Sequence, residues 1–182
     1  IQVGATPVGI DVDRFGLMNL DELESSNVDF AAVIPVHLHG SPVDMKRLME
    51  WAKPRKIRVV EDCAQAHGAF TSGRRVGTWG DAGAFSFYPT KNLGAVGDAG
   101  IVVSDSVEVT SKVREFGNYG SAPSDKYRHD VLGFNSRLDP VQAAVLRVNL
   151  RLLDSWNLRR REIAARYLSL IHISEPTRLL SI

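Results

Sequence analysis

Val28-Asp29-Phe30-Ala31-Ala32-Val33-Ile34-Pro35-Val36, followed further on by Ile57-Arg58-Val59-Val60, decides the fold. Both runs are apolar and of strand length. Between them, Ser41-Pro42-Val43-Asp44 has the composition of a helix start: a hydroxyl cap, proline at the first helical position and an acid at the third. Met45, Leu48, Met49 and Ala52 then recur at i, i+3, i+4 and i+7, which places them on one helical face. Strand, helix and strand within residues 28–63 make a βαβ unit, which implies a parallel pair joined by a right-handed crossover.

Outward from that unit the alternation continues. Ala82–Phe87 and Gly100–Ser104 are short strands framed by glycines, and a helix is predicted from Val107 towards Asn118. Asp139-Pro140 is again cap plus proline, with Val141, Ala144, Val145, Val148 and Leu152 on one face. Trp156 to Leu168 keeps helical register, and Arg159, Arg160, Arg161 and Arg166, mixed with Glu162, read as its wet face. The expected class is α/β: a three-layer, mostly parallel sheet covered by helices.

Composition narrows the function classes. The balance of 22 basic against 21 acidic residues gives no field to draw in nucleic acid or an anionic membrane. No run approaches the roughly 20 apolar residues of a membrane span, and no signal peptide opens the chain, so a reducing cytoplasm is the expected location. The lone Cys63 gives no internal disulfide and no cysteine metal cluster, and it is expected as a small buried side chain.

Chemistry gathers at strand ends. Val59-Val60-Glu61-Asp62 ends in carboxylates with Gln65 three residues past Asp62, and Ala84-Phe85-Ser86-Phe87-Tyr88-Pro89-Thr90-Lys91 delivers an amine where Pro89 stops a strand. Open α/β sheets bind ligands at the carboxyl ends of their strands. An amine, a carboxylate and a hydroxyl there suit a carbonyl cofactor held as an imine. Pyridoxal phosphate would need a carboxylate for its ring nitrogen (Asp62), a polar partner for its ring hydroxyl (Gln65), a hydroxyl for its phosphate (Ser86) and an amine for its aldehyde (Lys91). Taken singly, Asp62 reads as readily as a turn or helix cap, Lys91 as a solvated loop residue, and Ser86 as a partner for the backbone. A metal at His37, His39 or His67 is not expected. His37 and His39 alternate on a strand exit, and no carboxylate sits at ligand spacing. Gly94, Gly97 and Gly100 do not form a dinucleotide fingerprint, because no helix follows them.

Together, Glu61-Asp62-Cys63-Ala64-Gln65-Ala66-His67-Gly68, Gly80-Asp81-Ala82-Gly83-Ala84-Phe85-Ser86-Phe87 and Pro89-Thr90-Lys91-Asn92-Leu93-Gly94 resemble the sugar aminotransferases of the DegT/DnrJ/EryC1/StrS family. Pro35-Val36-His37-Leu38-His39-Gly40 and Gly133-Phe134-Asn135-Ser136-Arg137-Leu138-Asp139 agree, so the resemblance runs from about Val3 to about Tyr167. These are pyridoxal-phosphate enzymes of the aspartate-aminotransferase-like fold. The resemblance implies that Lys91 is the Schiff-base lysine and proton shuttle, and that Asp62 pairs with the pyridine nitrogen. Gln65 lies near the ring hydroxyl and Ser86 is a phosphate ligand. Asn135 reaches the phosphate of the partner subunit's cofactor, which implies a homodimer with shared active sites. The reaction implied is amino transfer, usually from glutamate, to a keto group of a nucleotide-linked deoxysugar. Within the family, the stretch from Phe87 to Asp98 and Tyr127-Arg128-His129-Asp130 look most like enzymes acting at C3 of dTDP-3-keto-6-deoxyhexoses.

The same resemblance sets the expected domain organisation. Residues 1–168 are a partial large, cofactor-binding domain with the start of the connecting helix. Residues 169–182, interrupted by Pro176 and without apolar period, form an atypical tail that resembles an adapter read-through. Chain opens on Ile1 rather than Met, so a phosphate-gripping N-terminal segment and a small C-terminal domain are expected outside it. Three other readings stay open: a non-catalytic pyridoxal-phosphate-binding regulator, an inactive fragment of the enzyme, and a sugar dehydratase. Lys91 argues against the last, since such relatives carry histidine there.

Overall fold

The computed structural model describes residues 3–122 and 125–174. In chain order its elements are α1 (Leu20–Ser25), β1 (Ala32–Val33), α2 (Met45–Ala52), β2 (Arg58–Asp62), β3 (Phe70–Thr71), β4 (Arg74–Arg75), β5 (Ala82–Ser86) and β6 (Gly100–Val103). There follow α3 (Val107–Gly117), β7 (Ser121–Ala122), β8 (Asp125–His129), α4 (Pro140–Asn149) and α5 (Leu153–Ser174). The central sheet has the order β1-β2-β5-β6. Its first three strands are parallel and β6 runs antiparallel at the edge. In register, Val33 lies opposite Val59 and Asp62 opposite Ala84. Asp62 and Ser86, the last residues of β2 and β5, therefore stand at the same end of the sheet.

The βαβ unit is present, with two corrections. The strand expected over residues 28–36 is only Ala32–Val33, because β2 begins at Arg58, whose N–H reaches Ala31 O (3.2 Å). Pro35 has no N–H to give, and pairing returns at Val36 as an isolated parallel bridge to Asp62. The second correction is the cap of α2, which is Asp44, not Ser41: the Asp44 carboxylate accepts the Arg47 N–H (3.1 Å). Ser41 instead closes a 3₁₀ turn at Leu38–Gly40, donating its N–H to Leu38 O. At α4 the prediction holds, with Asp139 capping the Val141 N–H and Pro140 in the first turn.

Two apolar clusters hold the frame that carries the site. Leu20, Leu23, Val33, Met45, Leu48, Ala52 and Val59 join α1 and α2 to β1 and β2. Each large aliphatic side chain buried there contributes about 1.5–3 kcal/mol. Phe87, Leu93, Ala95, Leu146 and Leu153 join the segment after β5 to α4 and α5. Arg159, Arg160, Arg161 and Arg166 are exposed on α5, as their wet-face pattern predicts. That helix runs across the expected 168/169 boundary to Ser174, while residues 175–182, including Pro176, lie outside the described residues. No helix among the described residues is long and apolar enough to cross a membrane.

Candidate active site

Asp62 is the half-buried last residue of β2. Its backbone is held twice by the segment 35–37: Asp62 N–H donates to Pro35 O (2.9 Å), and Asp62 O accepts the His37 N–H (3.1 Å). Its Oδ1 accepts the Ala64 N–H (3.0 Å), and its second oxygen has no donor among the described residues. Ser86 ends β5, with its Oγ accepting the Tyr88 N–H (3.3 Å). Asp62 and Ser86 line a hollow of about 370 Å³ together with Val60, Ala64 and Ala84.

Beyond Ser86 the chain turns sharply. Lys91 N–H donates to Tyr88 O (2.8 Å), Ala95 N–H donates to Phe87 O (2.8 Å), and Leu93 and Ala95 are buried. A Cβ on Gly94 would lie 2.5 Å from Pro89 O, so the turn closes only on glycine. Lys91 is thus presented, half-buried, on a loop fixed at both ends. Its ammonium has no hydrogen-bond or ion-pair partner among the described residues. It lines a cleft of about 610 Å³ with His39, Gln65, His67, Arg160 and Arg161, and no carboxylate is among the lining residues. The sequence-predicted set is therefore divided: Asp62 and Ser86 face one hollow, Gln65 and Lys91 the other. Ala64 lines the first and its sequence neighbour Gln65 the second. Asn135 lines neither. It is exposed, bridged to Asn118, with its Oδ1 accepting from Arg137 Nε (3.1 Å).

His67 is the site residue that sequence reasoning weighed only as a metal ligand. Its ring is buried beside Phe85 and Phe87, at centroid distances of 5.7 and 5.6 Å. Nε2 donates to Ser86 O (2.8 Å), leaving a buried Nδ1 without a partner among the described residues. Burial pushes the imidazole below its ordinary value; the bond to Ser86 O opposes this and the Lys91 charge adds to it. The carbonyl of His67 accepts from both Asn92 Nδ2 (3.3 Å) and Asn157 Nδ2 (3.0 Å), which ties the Lys91 loop to α5. The signal was Ala66-His67-Gly68 directly after Gln65.

Beneath β2 lies a polar hub that local spacing did not reveal. His37 Nε2 is 3.1 Å from Glu61 Oε2, both residues being fully buried, so a carboxylate does reach His37, from a distant strand rather than from its own segment. Glu61 also accepts the N–H groups of Gly77 (2.7 Å), Trp79 (2.7 Å) and Gly80 (2.9 Å). Burial alone would raise the Glu61 carboxyl; the hydrogen bonds from His37, Gly80, Gly77 and Trp79 outweigh it and hold the group below its ordinary value. Cys63 completes a trio whose ligand atoms lie within 4.8 Å of one another. Burial, with Glu61 and Asp62 nearby, pushes its thiol up to about 12. The His37 and Glu61 polar atoms are already committed to each other and to the backbone.

Pyridoxal phosphate fits this donor set. A carboxylate with one oxygen open suits a protonated ring nitrogen, the unpartnered Gln65 amide a ring hydroxyl, and the unpartnered Lys91 amine an aldehyde.

Comparison with known proteins agrees. The family model described as the DegT/DnrJ/EryC1/StrS aminotransferase family matches residues 1–178. The UDP-N-acetyl-3-dehydro-alpha-D-glucosamine 3-aminotransferase of Acidithiobacillus ferrooxidans is 48% identical over 92% of this chain and 45% of its own length. The dTDP-3-amino-3,4,6-trideoxy-alpha-D-glucose transaminase of Streptomyces venezuelae is 49% identical over 91% and 44%. A crystal structure of S. venezuelae DesV in complex with a ketimine intermediate superposes with a TM-score of 0.86 at 47% identity, covering 92% of this chain and 45% of that one. The chain spans a little under half the length of these relatives.

Proposed function

Since the chain belongs to the DegT/DnrJ/EryC1/StrS aminotransferase family, we propose that it carries the reactive centre of a pyridoxal-phosphate-dependent sugar aminotransferase. The enzyme moves an amino group from an amino acid, glutamate in this reading, to the keto group of a nucleotide-linked deoxysugar. The observation that carries the reading is the unpartnered Lys91 amine on a loop closed by Gly94, beside Gln65 and at the same end of the sheet as Asp62. The relatives' names, which put the amino group at C3, support a dTDP-3-keto-6-deoxyhexose as acceptor.

When bound, pyridoxal phosphate supplies an electron sink for a carbanion at the amino-acid α-carbon. Asp62 keeps the ring nitrogen protonated through its open oxygen, and the Ala64 N–H on Oδ1 fixes which way the carboxylate faces. Gln65 orients the ring hydroxyl, and Ser86 contributes a hydroxyl to the phosphate. Lys91 would act as general base towards the α-carbon of the donor and as general acid towards the cofactor's aldehyde carbon, and the same exchange in reverse would leave a proton on the sugar carbon that gains the amine. Asn135, exposed and lining neither hollow, serves the partner's cofactor in a homodimer.

Borohydride reduction in the presence of pyridoxal phosphate, followed by peptide mapping, tests the reading. A pyridoxyl label on Lys91 in preference to other lysines is expected. Equal labelling of exposed lysines overturns it. Turnover by a full-length enzyme containing this chain, with glutamate and 3-keto or 4-keto sugar nucleotides, tests the substrate, and activity on the 4-keto substrate alone rejects the C3 assignment. The 182-residue chain alone is expected to bind the cofactor weakly and not to turn over.

A further inference from the structure

Glu61 holds its charge at zero exposure, and neighbours in the same core show what could stand there instead: Val59 and Cys63, on either side of it in β2 and the residue after, are fully buried and apolar. A buried charge carries a desolvation cost, and well-packed apolar residues of the same volume are commonly no less stabilising, so its presence points to orientation rather than to stability alone. We propose that His37 and Glu61 are a positioning pair that aims Asp62 at the ring nitrogen of the cofactor. The inference rests on the cofactor reading above.

The hydrogen bonds leave the pair one arrangement. His37 Nδ1 accepts the Val43 N–H (3.1 Å), so the ring proton sits on Nε2 and is directed at Glu61 Oε2 (3.1 Å). The second Glu61 oxygen is filled by Trp79 and Gly80, and Oε2 also takes Gly77. Three segments, 35–43, 61–63 and 77–80, are thereby fixed to one carboxylate. The first of these segments also holds the Asp62 peptide, through His37 N–H to Asp62 O and Asp62 N–H to Pro35 O. Side chains alternate along a strand, so holding Glu61 on the buried face holds Asp62 on the opposite one. Residues 77–80 lead directly into β5, where Asp81 N–H donates to Val59 O (2.7 Å), so the hub also sets the register that brings Ser86 level with the end of β2.

The test uses the 182-residue chain and two readouts independent of turnover. One is the ratio of borohydride-trapped pyridoxyl label on Lys91 to that on exposed Lys53. The other is the ultraviolet titration midpoint of the ring nitrogen in chain labelled at Lys91. A carboxylate aimed at that nitrogen keeps it protonated to higher pH, which stability alone does not do. His37→Leu is expected to lower the ratio about tenfold, the size lost when an outer orienting partner is removed from other bound centres, and to lower the midpoint. His37→Gln, whose amide offers the same acceptor and donor, is expected to restore most of both. Leu48→Ala, a core change remote from the hub, is expected to lower stability and leave both readouts unchanged. If His37→Leu does not fold, Glu61→Asp, which keeps the charge but shortens its reach, is expected to show the same losses. Unchanged readouts in the folded hub variant, or equal losses in Leu48→Ala, overturn the positioning role while the cofactor reading stands. Absence of preferential Lys91 label in the unsubstituted chain overturns both.

Discussion

Replacing Glu61 by glutamine tests how much of the fold the hub carries. The carboxylate accepts four hydrogen bonds, two on each oxygen. An amide keeps one acceptor oxygen, so two of the four donors meet an NH₂ group and stay unsatisfied. At about 1–3 kcal/mol for each buried unsatisfied donor, the loss is about 2–6 kcal/mol. With a urea slope of about 2 kcal/mol per molar, a loss near 4 kcal/mol moves the midpoint down by about 2 M. Tryptophan fluorescence reports it, because Trp79 donates its backbone N–H to the same carboxylate. The pH dependence follows from the depressed Glu61 carboxyl. Its contribution is complete above the unfolded value near 4.5 and disappears as pH falls through the lower folded value, so the gap between the two proteins closes in acid. Midpoints within about 0.3 M of each other at neutral pH, against the shift expected from the slope, or a gap that persists undiminished to pH 2, would refute the reasoning.

Three further outcomes are expected. Cys63, with its thiol pushed up to about 12 by burial and two neighbouring carboxylates, resists iodoacetamide at pH 8 in the folded chain and reacts once urea unfolds it; equal rates would contradict the burial. Leu48→Ala, at a fully buried position of α2, lowers unfolding free energy by about 2–5 kcal/mol in urea titration. Asp139→Ala removes the acceptor of the Val141 N–H at the start of α4 and costs about 1 kcal/mol, measured the same way.

The parts of this structure that could be read from the sequence are those encoded locally. The apolar spacing of Met45, Leu48 and Ala52 located α2, and Asp139-Pro140 located the start of α4, because a helix face and a cap are specified within a turn or two. Boundaries set by a neighbour were misread. Strand β1 ends where it does because of what β2 offers opposite it, and Ser41 lost the cap of α2 because its N–H was drawn into the preceding 3₁₀ turn while the Val43 N–H went to His37. The four predicted site residues on β2, β5 and the following loop came from strand-end position and family motif. Their division between two hollows needed the register of β2 against β5.

The same distinction explains why the hub was invisible and the reactive groups were not. Asp62, Ser86 and Lys91 can be recognised as a set because each is a polar residue at or just past the end of an apolar run, with no partner within that run. Glu61 sits one residue earlier and looks like the weaker of two adjacent acids. Its partners are His37 from before α2 and the backbone of Gly77, Trp79 and Gly80, and backbone donors leave no mark in side-chain chemistry. Of the adjacent pair Glu61-Asp62, alternation sends one carboxylate into the core and the other to the site. The buried one is saturated and spectates chemically; the half-buried one takes the Ala64 N–H on Oδ1 and keeps its second oxygen open among the described residues. A dipeptide of two acids is thus divided into a fixing group and an acting group by the pleat of a single strand.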